Sequence, residues 1–150
     1  MNPYPKFGLM IAVSTATMLV LMYLNTYSLA DVFFSQTRTF MALIMGAAMT
    51  VIMLAFMQKM YPNRNLNRVI YGASVALFIA ALALVRTQAT VDDVSYMKAM
   101  IPHHSIAILT SSRAHIADPR ARKLADGIIQ TQRKEIGEMN ALIRDIEAAR

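Results

Sequence analysis

A chain of 150 residues with net charge +6 and 56% apolar side chains holds one small domain, or a membrane segment joined to a domain fragment. It has no cysteine, which excludes disulfides and thiolate metal sites. Nucleic-acid binding is excluded by where the charge lies. Of 15 Lys and Arg and 9 Asp and Glu, six and one fall in residues 1–86, leaving nine and eight beyond. No concentrated basic face of the kind phosphate backbones need is present.

Three apolar runs, about 7–26, 39–58 and 67–86, approach the roughly 20 residues that a membrane-crossing helix requires. Lys6 ahead of the first run resembles the start of a signal peptide. The stretch from Phe7 to Leu24 lacks a small-residue cleavage site and is long enough to span, so a retained anchor is expected. The connection at 25–37 is mildly polar, with Phe33 and Phe34 expected at the membrane interface. The one at 58–67 carries Pro62 and several asparagines, a turn signal. Placing the N-terminus in the cytoplasm puts Lys6, Lys59, Arg64 and Arg68 inside and only Arg38 and Arg86 outside, the arrangement that the Lys/Arg bias of short loops favours. Residues 87–150 then emerge on the far side of a plasma (inner) membrane, in the periplasm or outside the cell.

Small residues recur along the second span (Ala42, Gly46, Thr50) and the third (Gly72, Ala76, Ala80, Ala83), ridges that let helices approach closely in lipid. The second span also carries Met41, Met45, Met49, Met53 and Met57. A copper-conducting stripe is one reading, and gap-filling by unbranched thioethers is the other. No His, Asp or Glu accompanies the row, which favours gap-filling, since a transport path keeps ionisable or unwound elements at mid-depth.

Beyond the third span, Thr90-Val-Asp-Asp93 approximates a capping box and predicts a helix to about Ile116. Asp118-Pro119 predicts a restart, with Asp as N-cap and Pro at the first helical position, and a second helix to about Ala148. The fold class is all-α: three transmembrane helices over 1–86, then an antiparallel helical hairpin over 87–150. At about 100° per residue, Met97, Met100, His104, Ile108, Ser111 and His115 share one stripe of the first hairpin helix. Leu124, Ile128, Gln132, Glu135, Met139, Leu142 and Ile146 share a face of the second. Gln132 and Glu135 thus interrupt an apolar stripe, where an unpaired polar group costs about 1–3 kcal/mol. Polar groups breaking both patterns at one level suggest a site.

The ligand set on offer is thioether plus imidazole, which suits copper, the reduced ion above all. His104 with Met100 or Met97 is the better first shell. His103 points about 100° away in a regular helix and is left to cap, bridge to a partner or bind separately. Pro102 removes a helical hydrogen bond just before the pair and is a candidate kink. Glu135 either orients His104 as an acceptor or acts as a hard ligand favouring zinc. The plainer alternative is that Met97, Met100 and Met139 are core and His104 pairs with Glu135. A di-iron carboxylate centre is not expected, because Glu135 and Glu138 lack the Glu-x-x-His spacing. With no nucleophile–base pair and no Gly-rich phosphate loop, no catalytic residue is identified and the chain reads as a non-enzyme.

These residues resemble the domain of unknown function 305 family. The match runs from Met97 through Met100-Ile-Pro-His103-His104, then Asp118-Pro119, Arg122, Leu124-Ala125, Ile128-Ile129, Gln132, Glu135-Ile136 and Met139. The resemblance implies a ferritin-like helical bundle, exported or membrane-anchored, in which some members bind copper. By that likeness the metal-site positions are Met97, Met100, His103, His104 and Met139, with Gln132 and Glu135 as neighbours; His115 lies outside the shared motif. Many relatives carry two such hairpins. One hairpin is half a bundle and leaves an apolar face, so self-association or docking on another membrane protein is expected. Two functions remain open: a membrane-anchored protein that holds or hands over copper outside the cytoplasm, and a non-catalytic accessory or assembly subunit of a larger membrane complex. Membrane lipid around the spans is the remaining partner.

Overall fold

The computed structural model describes residues 3–149, whose regular structure is entirely helical: α1 (Tyr4–Leu21), α2 (Gln36–Phe56), α3 (Arg64–Thr87), α4 (Asp93–Arg113) and α5 (Pro119–Ala148). Short 3-10 turns lie at Leu29–Asp31 and Gln58–Met60. Helices α1, α2 and α3 are long and apolar enough to cross a membrane. They form one compact unit, the chain up to Met22 with Thr37–Thr90; the other joins Tyr23–Gln36 to the chain from Val91 onward.

In the first unit, Phe7, Leu54 and Tyr61 are buried together, with Met10, Met53, Met57 and Ile70 packed around them. The Tyr4 hydroxyl donates to Asn67 Oδ1 (2.9 Å) and accepts from the Asn63 N–H (3.1 Å), which fastens the start of α1 to the turn before α3. The Asn63 side chain accepts from the Leu66 N–H at 3.0 Å. That N-cap starts α3 three residues ahead of the hydropathy boundary at 67, because a cap acts on the free N–H groups and not on apolarity. Gln88, with φ 53°, ends α3 in the left-handed conformation, its N–H donating to the Leu84 carbonyl.

The two small-residue ridges behave differently. Ala42 and Gly46 are buried, and a Cβ on Gly46 would run into Thr15, so α1 and α2 meet there at close range. On α3 the buried small residues are Ser74 and Ala81, while Gly72, Ala76, Ala80 and Ala83 are exposed. A helix apolar on every side gives no periodic clue to which small residues meet a neighbour. Along the methionine row, Met53 and Met57 fill space around the Phe7–Leu54–Tyr61 core.

In the second unit α4 packs along α5, and Val94, Met97, Ile101 and Ile143 form the core, with Ile136, Met139, Ile146 and Phe33 against it. Phe33 thus packs against the hairpin core, whereas Phe34 is exposed. The segment 23–36 is a strap laid on α4. Buried Ser105 donates to Asp31 Oδ2 (2.6 Å) and accepts from the Tyr27 N–H (2.8 Å). At its end Gln36 Nε2 donates to Ser95 Oγ (3.3 Å). The strap thus covers part of the α4 surface, and α4 buries side chains toward two partners.

Caps fix the hairpin's register. The Asp92 carboxylate accepts from the Ser95 N–H at 2.8 Å and starts α4. Asp118 accepts from the Arg120 N–H at 2.8 Å and from the Arg120 guanidinium (Nη2, 2.8 Å), with Pro119 at the first helical position. The Arg120 side chain first, and its backbone N–H second, hold the Asp118 carboxyl below its ordinary range. Arg122 donates to the Ser111 carbonyl at 2.8 Å, satisfying a free acceptor in the last turn of α4. That helix ends at Arg113 and not near 116; His115 and Ile116 belong to the connection. On α5 the buried residues are Ala125 and Ile143, whereas Leu124 and Leu142 are 68% and 51% exposed. The face that meets α4 is thus rotated from the projected stripe toward the Ala125–Ile143 line.

Candidate metal centre

His104 sits on the shoulder of α4 that faces α5. Its Nδ1 lies 2.9 Å from the Met100 carbonyl, one turn back in the same helix. A carbonyl only accepts, so Nδ1 carries hydrogen and Nε2 is the nitrogen presented to the inter-helix seam. There Nε2 meets Glu135 Oε2 at 2.8 Å. The two side chains are unequally shielded, with His104 12% and Glu135 43% exposed. A half-solvated polar contact of this kind contributes little to stability, about 0–1 kcal/mol. The pairing of His104 with Glu135, with Met97 and Met139 in the core, is the plainer arrangement expected from the sequence.

The other predicted ligands are dispersed around this pair. Met97 is buried among Val94, Ile101 and Ile143, and Met139 packs against the same cluster, so both thioethers are core constituents. Met100 is half-buried, and its carbonyl holds the His104 ring. His103 is exposed, its ring centroid 6.1 Å from that of His104 and tilted by 66°, as the 100° step between neighbours in a helix dictates. Gln132 is half-buried on α5, one turn before Glu135. His115 is the exception: its place on the stripe assumed a helix that continues to 116. With α4 ending at Arg113, His115 is exposed in the connection and off that face.

Chemically the seam offers one oriented imidazole nitrogen and one carboxylate. Among the described residues no three His, Cys, Asp or Glu side chains gather as a cation site. A closed tetrahedral zinc site needs four ligands of that kind. Thioether and imidazole ligation of a soft ion draws on a different donor set; of it His104 lies at the seam, while Met97 and Met139 are packed in the core. Pro102 is fully buried inside α4, next to the histidine pair.

Sequence reasoning missed the strap. Ser105, Asp31, Tyr27 and Phe33 buttress the α4 turn that carries His104. One signal was visible: Asp31 is the sole acidic residue in 1–86, set in an otherwise apolar stretch where an unpartnered carboxylate is costly.

Residues 80–149 match the family model described as domain of unknown function (DUF305). The chain is also 33% identical over 137 residues to "Uncharacterized protein L153" of Acanthamoeba polyphaga mimivirus, an alignment that covers 90% of this chain and 88% of that one. Such a length takes in most of the apolar helices as well as the hairpin. No solved structure matches the chain. With its Met-x-x-Met-Ile-Pro-His-His segment on α4, the Gln132 and Glu135 positions on α5 and a relative alike along nearly its whole length, the chain belongs to the DUF305 family.

Proposed function

We infer that the protein is a membrane-anchored metal-binding module whose cargo is copper, held as the reduced ion at the α4–α5 seam and available for transfer. The observation that carries this reading is the fixed orientation of His104. Metal-ligating histidines characteristically donate their second ring N–H to a carbonyl or carboxylate, which sets the tautomer and aims the free nitrogen. The Met100 carbonyl does this for Nδ1, and Nε2, which meets Glu135 Oε2 at 2.8 Å in this structure, would exchange that contact for the metal. Met100, Met97 and Met139 would supply thioether sulfur, Glu135 would act as the neighbouring carboxylate, and His103 would receive or pass on the ion from the solvent side. His115, off this face, is left out of the ligand set.

The topology proposed with it has the N-terminus in the cytoplasm and the hairpin outside. The strap and the hairpin share one compact unit, and α2 and α3 separate them in the chain. Two crossings bring the chain back to the side it left, as the Asp31–Ser105 bond requires. The Lys/Arg bias then selects the side.

The test is a competition titration of the full chain with Cu(I) against a chelator. The whole chain is used because residues 23–36 are part of the hairpin unit. His104→Ala lowers affinity at least tenfold, about 1.4 kcal/mol, and Met100→Leu lowers it less. Equal affinity in wild type and His104→Ala would remove the reading and leave the accessory-subunit function, which the exposed Leu124 and Leu142 favour.

A further inference from the structure

We propose that the three apolar helices hold one acyl chain of a bilayer phospholipid in a slot between them. The slot takes in α1 from Gly8 to Leu19, α2 from Thr39 to Thr50 and α3 from Ile70 to Leu77, and its volume is about 550 Å³. All three walls belong to one compact unit. Helices α1 and α2 meet along it, since a Cβ on Gly46 would run into Thr15. Truncated side chains leave the space open: Gly8, Ala12 and Ala16 follow one another at four-residue steps along the α1 wall, and Ala73 lies on the α3 wall.

Chemistry narrows the occupant. No residue lining the slot is charged. The Thr50 hydroxyl is turned back onto the Gly46 carbonyl at 2.8 Å, and among the described residues no buried side-chain nitrogen or oxygen lacks a hydrogen-bond partner. An occupant therefore has no polar group to satisfy, and water gains nothing by entering a space lined this way. Left empty, the walls forfeit dispersion contacts. Size then separates hydrocarbon from protein. From Gly8 to Leu19 α1 rises about 16 Å, close to half of the roughly 30 Å hydrocarbon core of a bilayer. Over that length the slot has a mean cross-section of roughly 35 Å², whereas a helix with its side chains needs roughly 80 Å² or more. An extended acyl chain reaching through one leaflet fits, and a helix of another protein does not. The walls are the helices long and apolar enough to cross a membrane, where lipid tails are the most abundant apolar ligand. The inference rests on that membrane placement and is independent of the copper reading.

The full chain, reconstituted in vesicles of palmitoyl-oleoyl phosphatidylcholine, is re-extracted in a steroid-based detergent, whose fused rings are broader than an acyl chain. Native mass spectrometry after gel filtration then reads the bound lipid. Wild type carries one phosphatidylcholine per chain. Ala12→Phe, which sets a ring in the middle of the slot, carries at least tenfold less. Gly72→Phe keeps the wild-type load, because it adds the same ring to α3 outside the slot, where a Cβ meets nothing within 4 Å. Should Ala12→Phe lose helicity by circular dichroism, Gly8→Leu takes its place, since a Cβ there also meets nothing within 4 Å. Lipid-free wild type would overturn the proposal, as would a folded slot variant that keeps its lipid. A lipid-free dimer that Ala12→Phe splits into monomers would mean that a second copy fills the slot, and would overturn it equally. A chain that an alkaline wash strips from the vesicles would remove the membrane placement, and the proposal with it.

Discussion

Ser105 has almost no surface exposed, yet it is bonded on both sides of its hydroxyl, donating to Asp31 and accepting from the Tyr27 N–H. Removing that oxygen leaves a carboxylate and a backbone donor without their partner, a loss of about 1–3 kcal/mol. Ser105→Ala is therefore expected to lower the thermal midpoint of the hairpin unit and to speed hydrogen exchange at Tyr27. An unchanged midpoint would mean that the strap is not held there. His104 and Glu135 were legible because each interrupts an apolar stripe at helical spacing. Ser105 was not, because a serine on a helix reads the same whether it fills space or anchors another segment. His115 was misplaced for a different reason: periodicity carries no information about where a helix stops, and Arg122 closing on the Ser111 carbonyl accompanies that stop.

At the scale of the element, caps and close approaches give the sharpest expectations. Asp118 is the N-cap of α5, and the Arg120 side chain and N–H lower its pKa. A carboxylate whose folded pKa is depressed stabilises the fold fully above its ordinary value and ceases to do so as pH falls through the lowered one. Helicity of the hairpin unit should thus carry an acid-sensitive component below the normal carboxylate range. Asp118→Asn, which caps without titrating, should abolish that component; identical acid profiles would contradict the assignment. In the first unit, Gly46→Leu should weaken α1–α2 packing and lower detergent stability. Gly46→Ala should be largely rescued by Thr15→Ala, because the three atoms nearest the added Cβ all belong to the Thr15 side chain. A double variant no better than Gly46→Ala would place the clash elsewhere. The three spans were legible from hydropathy because their length and apolarity are one-dimensional properties. Which face of α3 packs was not, since Ser74 and Ala81 are buried while the more regular Gly72–Ala76–Ala80 row is exposed. The α5 face was rotated from expectation for a related reason: the strap adds a second partner to α4, and a projection assumes one.

For the whole molecule the connection between the first two spans belongs with the hairpin, so anchor and hairpin are not sequential modules. Hydropathy could not reveal this, because contacts such as Asp31–Ser105 join residues 74 positions apart. The topology makes a labelling prediction. A cysteine at Gly137, exposed with open space around it, should react with a membrane-impermeant maleimide added to intact cells. One at Lys59, in the turn between α2 and α3, should react only after permeabilisation; the opposite pattern would invert the orientation. The central claim is that His104 Nε2 and thioether sulfur meet a soft ion at the α4–α5 seam. X-ray absorption at the copper edge of the Cu(I)-loaded full chain tests it most directly. The account predicts imidazole nitrogen together with sulfur around copper, with the nitrogen component lost in His104→Ala. A shell of nitrogen and oxygen alone, or a spectrum that His104→Ala leaves unchanged, would contradict it.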